Sequence, residues 1–132
     1  MKAYTDIEQS KKLAEFLPLE SADMHYATWT ILDGNFIVSP NQGTTIKSLQ
    51  EDYGNQIIPC WSLAALLDVL ESEIDGEEGE TYQLNIEKDG TWWNVWYREQ
   101  YDEANPIETE STEEPIDACV EMILKLNELK LL

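Results

Sequence analysis

The residues best placed to do chemistry together are aromatic. Trp92 and Trp96 lie four apart in a segment rich in strand-forming residues, so the period of two sends both to one side with Asn94 and Arg98. Counting back through Asp89-Gly90, read as a two-residue hairpin turn, sets Glu87 opposite Trp92, Asn85 opposite Asn94, Gln83 opposite Trp96 and Thr81 opposite Arg98. The apolar set Ile86/Trp93, Leu84/Val95 and Tyr82/Tyr97 takes the core side. Two indoles among amide, guanidinium and carboxylate groups form an amphipathic patch suited to binding another protein, with acids to steer a basic partner. Trp92, Trp96, Asn94, Arg98 and Glu87 are therefore the candidate partner-binding residues. The competing reading has the segment after Arg98 folding back over the indoles.

Catalytic chemistry finds little else to work with. His25 is the single histidine, at the entrance to a strand, and it has no evident partners for a zinc site or a His-based triad. Cys60 and Cys119, each in what reads as an apolar helical context, lack Cys-x-x-Cys or Cys/His spacing and read as two buried thiols. There is no phosphate-binding glycine motif and no Gly-x-Ser-x-Gly elbow. The stretch Asp75 to Glu80 lacks the spaced ligands of a calcium loop. Sugar hydrolysis would need two carboxyls held roughly 5 to 9.5 Å apart in a cleft, which abundance of acids does not supply. No catalytic, metal or cofactor-binding residue is assigned, no cofactor is implied, and the chain is expected not to be an enzyme.

Charge narrows the partners. Twenty-seven acids against eight bases give −19, a balance that repels nucleic-acid phosphates and anionic membranes and attracts cations. Fourteen of those acids fall in two segments without a base, six in 71–80 and eight in 99–117, both read as acidic loops. The first residues lack the apolar core of a signal peptide, and no run approaches the roughly 18 apolar residues of a membrane span. A cytoplasmic location is expected. At 132 residues, with five tryptophans and six tyrosines, one domain over 1–132 is the natural reading.

The elements that must position these residues follow from periodicity and caps. The central helix begins at Ser62, an N-cap with Trp61 before it as a staple, and buries Leu63, Leu66, Leu67, Leu70 and Ile74. Thr5-x-x-Glu8 predicts a capped first helix ending before Pro18, with Lys11 and Lys12 outward. Alternation from His25 through the Asp33-Gly34 turn predicts a hairpin with Ile31 opposite Phe36 and Trp29 opposite Val38. Residues 44–55 stay open between helix and strand. Pro115 suits the first position of a last helix that buries Ile116, Cys119, Val120, Ile123 and Leu126. Met122, Leu124 and Leu129 widen that face enough to offer a homodimer contact.

Three segments, 58–67, 20–24 and 117–122, resemble small uncharacterised proteins of Bacteroides-type gut bacteria, many of which look like products of prophages and other mobile elements. That group has no established activity, so the resemblance carries over no site; it implies a bacterial cytoplasmic accessory protein. The fold expected is α+β, an antiparallel sheet built from two Asp-Gly hairpins packed on two to three helices. The function expected is a non-enzymatic interaction module for a basic protein, without direct nucleic-acid or membrane binding. Two alternatives stand beside it. One is a DNA mimic that inhibits a nucleic-acid-binding protein, and the other is a small-molecule or carbohydrate enzyme using a tryptophan platform.

Overall fold

The computed structural model describes residues 1–28, 35–102 and 105–132. Among them are four α-helices and two antiparallel sheets, so the protein is α+β, with two sheets where one was expected. The chain divides into two compact units, Ala3–Ala65 and a second made of Leu66–Leu132 with Met1–Lys2.

In the first unit a three-stranded sheet has the order β2-β1-β3, with β1 at Met24–Thr28, β2 at Phe36–Pro40 and β3 at Ile57–Cys60. The Asp33-Gly34 turn, Trp29 and Ile31 lie outside the described residues. The register beside them is nevertheless fixed, and it differs from the expected one: Val38 faces Tyr26 and Phe36 faces Thr28. The displacement is three residues, an odd number, so the side chains sharing a face with Phe36 and Val38 are Tyr26 and Met24. Packing of Tyr26 accounts for this. Its ring meets Tyr4 and Phe36 edge-on at 6.2 and 6.4 Å, and its hydroxyl donates to the Thr5 carbonyl at 2.6 Å. Its strand neighbour on the other side is Ile58, and Cys60 completes the buried cluster.

Helix α1 spans Ile7–Ala14 and α2 spans Ile46–Tyr53, which makes the open stretch helical, with Thr45 as N-cap. The cap of α1 is Asp6, in a reciprocal box with Gln9, and not Thr5. Thr5 is fully buried instead, as is Ser10. Its hydroxyl meets the Ser10 hydroxyl at 2.7 Å and accepts from the Trp61 N–H at 3.1 Å, while Thr5 N–H donates to the Trp61 carbonyl at 2.9 Å. The Cys60 thiol donates to the Thr5 carbonyl at 3.5 Å. One threonine thus ties the residues before α1 to β3, and a residue that competes for backbone groups does so from the core. Cys60 lies in a strand and not in the helical context expected for it. Ser62 caps α3, Leu63–Val69: its hydroxyl accepts from Ala65 N–H and donates to Asp23.

The second unit has a four-stranded sheet, β4-β5-β6-β7, with β4 at Glu73–Asp75, β5 at Thr81–Asp89, β6 at Trp92–Glu99 and β7 at Ile107–Glu108. Both acidic segments therefore contain a strand and are not simple loops, and Ile74 belongs to β4 and not to the central helix. Helix α4, Pro115–Glu128, starts at Pro115 as expected and packs on β6. It buries Ile116, Cys119, Val120, Met122, Ile123 and Leu126 within the chain and leaves Leu129 exposed. Lys2 Nζ pairs with Asp117 at 2.9 Å and the Lys2 N–H donates to Glu114 at 2.7 Å, anchoring the first turn of α4. No helix among the described residues is long and apolar enough to cross a membrane.

Burial pushes the Cys119 thiol up to about 11 and raises the Cys60 thiol as well. An acid raised in the folded state favours folding while it is protonated. The contribution of Cys119 is then complete below about 9, its ordinary value, and is lost as pH climbs towards about 11. Chemical denaturation across this range should show stability falling above pH 9, and Cys119→Ala should flatten the fall. For the buried network, Thr5→Val keeps the shape but orphans the Trp61 N–H and takes the hydroxyl partner from Ser10. The expected loss is about 2–4 kcal/mol, read as a lower urea midpoint at unchanged slope, with Thr5→Ser recovering most of it.

Candidate functional site

The hairpin of β5 and β6 builds the site. Its register pairs Asp89 with Trp92, Glu87 with Asn94, Asn85 with Trp96 and Gln83 with Arg98, two residues away from the expected pairing throughout. The turn is correspondingly Gly90-Thr91 and not Asp89-Gly90. A type I′ turn on Asp89-Gly90 would hold Asp89 at positive φ, which it does not adopt; Gly90 does, at +63°, as the first central residue of a type II′ turn requires. Because a slip of two preserves parity, the two faces keep the membership expected of them. Val95 and Tyr97 are buried, and Tyr97 donates its hydroxyl to the Glu71 carbonyl at 2.6 Å. Trp92, Asn94, Trp96 and Arg98 therefore share the opposite face.

Rows across that face read Glu73, Gln83 and Arg98, then Asn85, Trp96 and Glu108, then Glu87 and Asn94, then Asp89 and Trp92. With Asp75 beside Thr81, the face carries five strand carboxylates and one guanidinium. The five residues singled out from the sequence are brought together on it, though Glu87 faces Asn94 and not Trp92. Its acids at 73, 75 and 108 were missed because their segments read as loops; the two-residue spacing of Glu73 and Asp75 about Ile74 was the available signal. Trp92 stands 48% exposed, whereas Trp96 is half-buried. Strand geometry separates them by roughly 13 Å, so they are two stations and not one stacked pair.

The difference between the indoles comes from the segment after β6, which returns along its free edge. It pairs twice in register, Tyr97 with Ile107 and Trp96 with Glu108, and once more where Trp93 and Thr112 exchange backbone hydrogen bonds of 2.6 and 3.1 Å. Between those points β6 contributes Asn94 and Val95 while the returning segment contributes Thr109, Glu110 and Ser111. This extra residue is a bulge, a device that lifts a strand locally and re-aims its side chains. Ser111 donates to Asn94 Oδ1, bridging the gap. Beside the bulge lies a cavity of about 410 Å³ whose lining includes Asn85, Asn94, Trp96, Arg98, Glu108 and Thr109, together with Val95 and Pro106. Thr109 lines it as a residue, while its hydroxyl is shielded from solvent, turned away from the open space, and has no hydrogen-bond partner among the described residues.

Elsewhere, His25 Nδ1 lies 2.9 Å from Oδ1 of Asn41, just past the end of β2, and no group of three or more His, Cys, Asp or Glu residues among those described is placed to hold a metal. The chain matches no family model, no curated protein and no solved structure.

Trp92→Ser should leave stability within about 0.5 kcal/mol of the parent, as for an exposed position. Trp96→Ser should cost about 1–2 kcal/mol, below the roughly 3–5 typical of a fully buried aromatic. Thermal unfolding of the two single variants checks the contrast, and equal losses would contradict the asymmetry.

Proposed function

We propose that the protein is a non-enzymatic interaction module whose outward β5–β6 face engages a basic partner protein. The observation that carries this reading is the placement of two indole stations on a face with five carboxylates and a single guanidinium. A lysine or arginine side chain is attracted to such carboxylates and also to the face of an indole. The hairpin contains an internal instance, since Lys88 Nζ lies 5.5 Å from the centroid of the Trp93 ring. An accessory role in a bacterial mobile element agrees with the resemblance in segments 20–24, 58–67 and 117–122.

One observation favours the DNA-mimic reading as well. Glu73 with Asp75, and Glu87 with Asp89, are spaced by two on strands of the same face, which gives carboxylates a regular, rigid arrangement. On either reading the partner surface is cationic. The mimic differs in that double-stranded DNA would compete for the same partner.

An extended peptide alternating arginine with apolar residues serves as the probe. Its affinity should fall steeply with salt and at least tenfold on Trp92→Ser, read by tryptophan fluorescence. Binding indifferent to both would refute the assignment.

A further inference from the structure

We propose that the cavity beside the bulge is a binding site for a neutral, hydroxyl-rich ring, a monosaccharide unit, held without being cleaved. This goes beyond the partner reading; the cavity shares Trp96, Asn94, Arg98 and Glu108 with the outward face, while the exposed Trp92 lies outside it and lets the two binding modes be told apart.

Charge comes first. Among the described residues the lining carries one carboxylate, Glu108, and one guanidinium, Arg98, although the chain as a whole is at −19. An anion is opposed by that overall field, and a cation placed here meets Arg98. A neutral ligand is opposed by neither. Shape comes next: about 410 Å³ falls within the roughly 300–1,000 Å³ of small-molecule sites.

Hydrogen bonding then selects among neutral ligands. Polar side chains surround a single indole: Asn85 and Glu108 are the immediate cross-strand neighbours of Trp96, and Asn94 and Arg98 flank it along β6. Asn85 and Asn94 are held in position, the first by donating to the Gln83 carbonyl at 3.1 Å and the second by Ser111. Each amide offers both donor and acceptor capacity, as do the hydroxyls of a sugar. A pyranose has one apolar C–H face and a polar rim, which matches one aromatic plane ringed by polar groups. A nucleobase has two faces to cover and is usually sandwiched; the lining supplies one ring. Among the described residues the cavity has one carboxylate and so no pair for acid and nucleophile, and the inference is of binding and not hydrolysis.

The test is a titration of the full chain with glucose, galactose, N-acetylglucosamine and xylose, followed by NMR of the indole and side-chain amide N–H groups. At least one sugar should shift the Trp96 indole and the Asn85 and Asn94 amides in a saturable way while leaving the Trp92 indole in place. Asn85→Ala, which removes an amide directly across from Trp96, should weaken that sugar three- to tenfold; Trp92→Ser and added salt should not. Absence of saturable shifts with all four sugars would overturn the proposal, as would shifts centred on Trp92 or a stronger response to adenosine. Since the arginine-containing peptide depends on Trp92 and on salt, loss of either binding mode is recognisable without the other.

Discussion

Alternation along β6 is the constraint on which the outward face rests. Val95 and Tyr97 are drawn inward, the latter holding a backbone carbonyl with its hydroxyl, and α4 packs against the strand. Once those two are committed, the period of two leaves Trp92, Asn94, Trp96 and Arg98 no choice of side. The apolar half of the strand thus positions the polar half, and β4, β5 and β7 inherit the same parity through their hydrogen-bonded registers. A substitution that reversed the preference of Val95 or Tyr97 would disturb the outward face without belonging to it.

Parity also explains what could be read from the residues and what could not. The β5–β6 register is two residues from that implied by Asp89-Gly90, yet every residue keeps its face. The β1–β2 register is displaced by three, and there the faces exchange. Local turn chemistry does not distinguish these cases; the arbiter in the first unit is the packing of Tyr26 between Tyr4 and Phe36, a long-range arrangement. The caps divide in the same way. Ser62 and Pro115 act where their residue types suggest, because the helices they start are strongly apolar on one side. Thr5 satisfies a local capping pattern equally well, but its hydroxyl is taken by Ser10 and the Trp61 N–H, and Asp6 caps α1 instead.

Strands β4 and β7 were illegible for a different reason. Each is two or three residues long with a single apolar residue beside its acids, and neither has enough apolar pattern to announce itself. They exist because β5 and β6 present hydrogen-bonding edges, and because Ile74 and Ile107 supply one buried side chain apiece. The site inherits this dependence. Trp96 and Arg98 were visible from periodicity alone, whereas Glu108 and Thr109 reach the same place only through pairing with an already formed sheet.

The bulge between Glu108 and Thr112 separates two jobs that a regular strand would combine. Its flanking pairs fasten the segment to β6, while the three residues between them span a distance that two would cover. Thr109, the first of the three, forms part of the cavity wall, so that slack borders the opening. Residues could be gained or lost at 109–111 to widen or narrow the opening while both fastenings and the core behind them stayed intact. The protein thus carries an adjustable part on a fixed frame, and related chains that differ there would be expected to differ in what they admit while keeping the same fold.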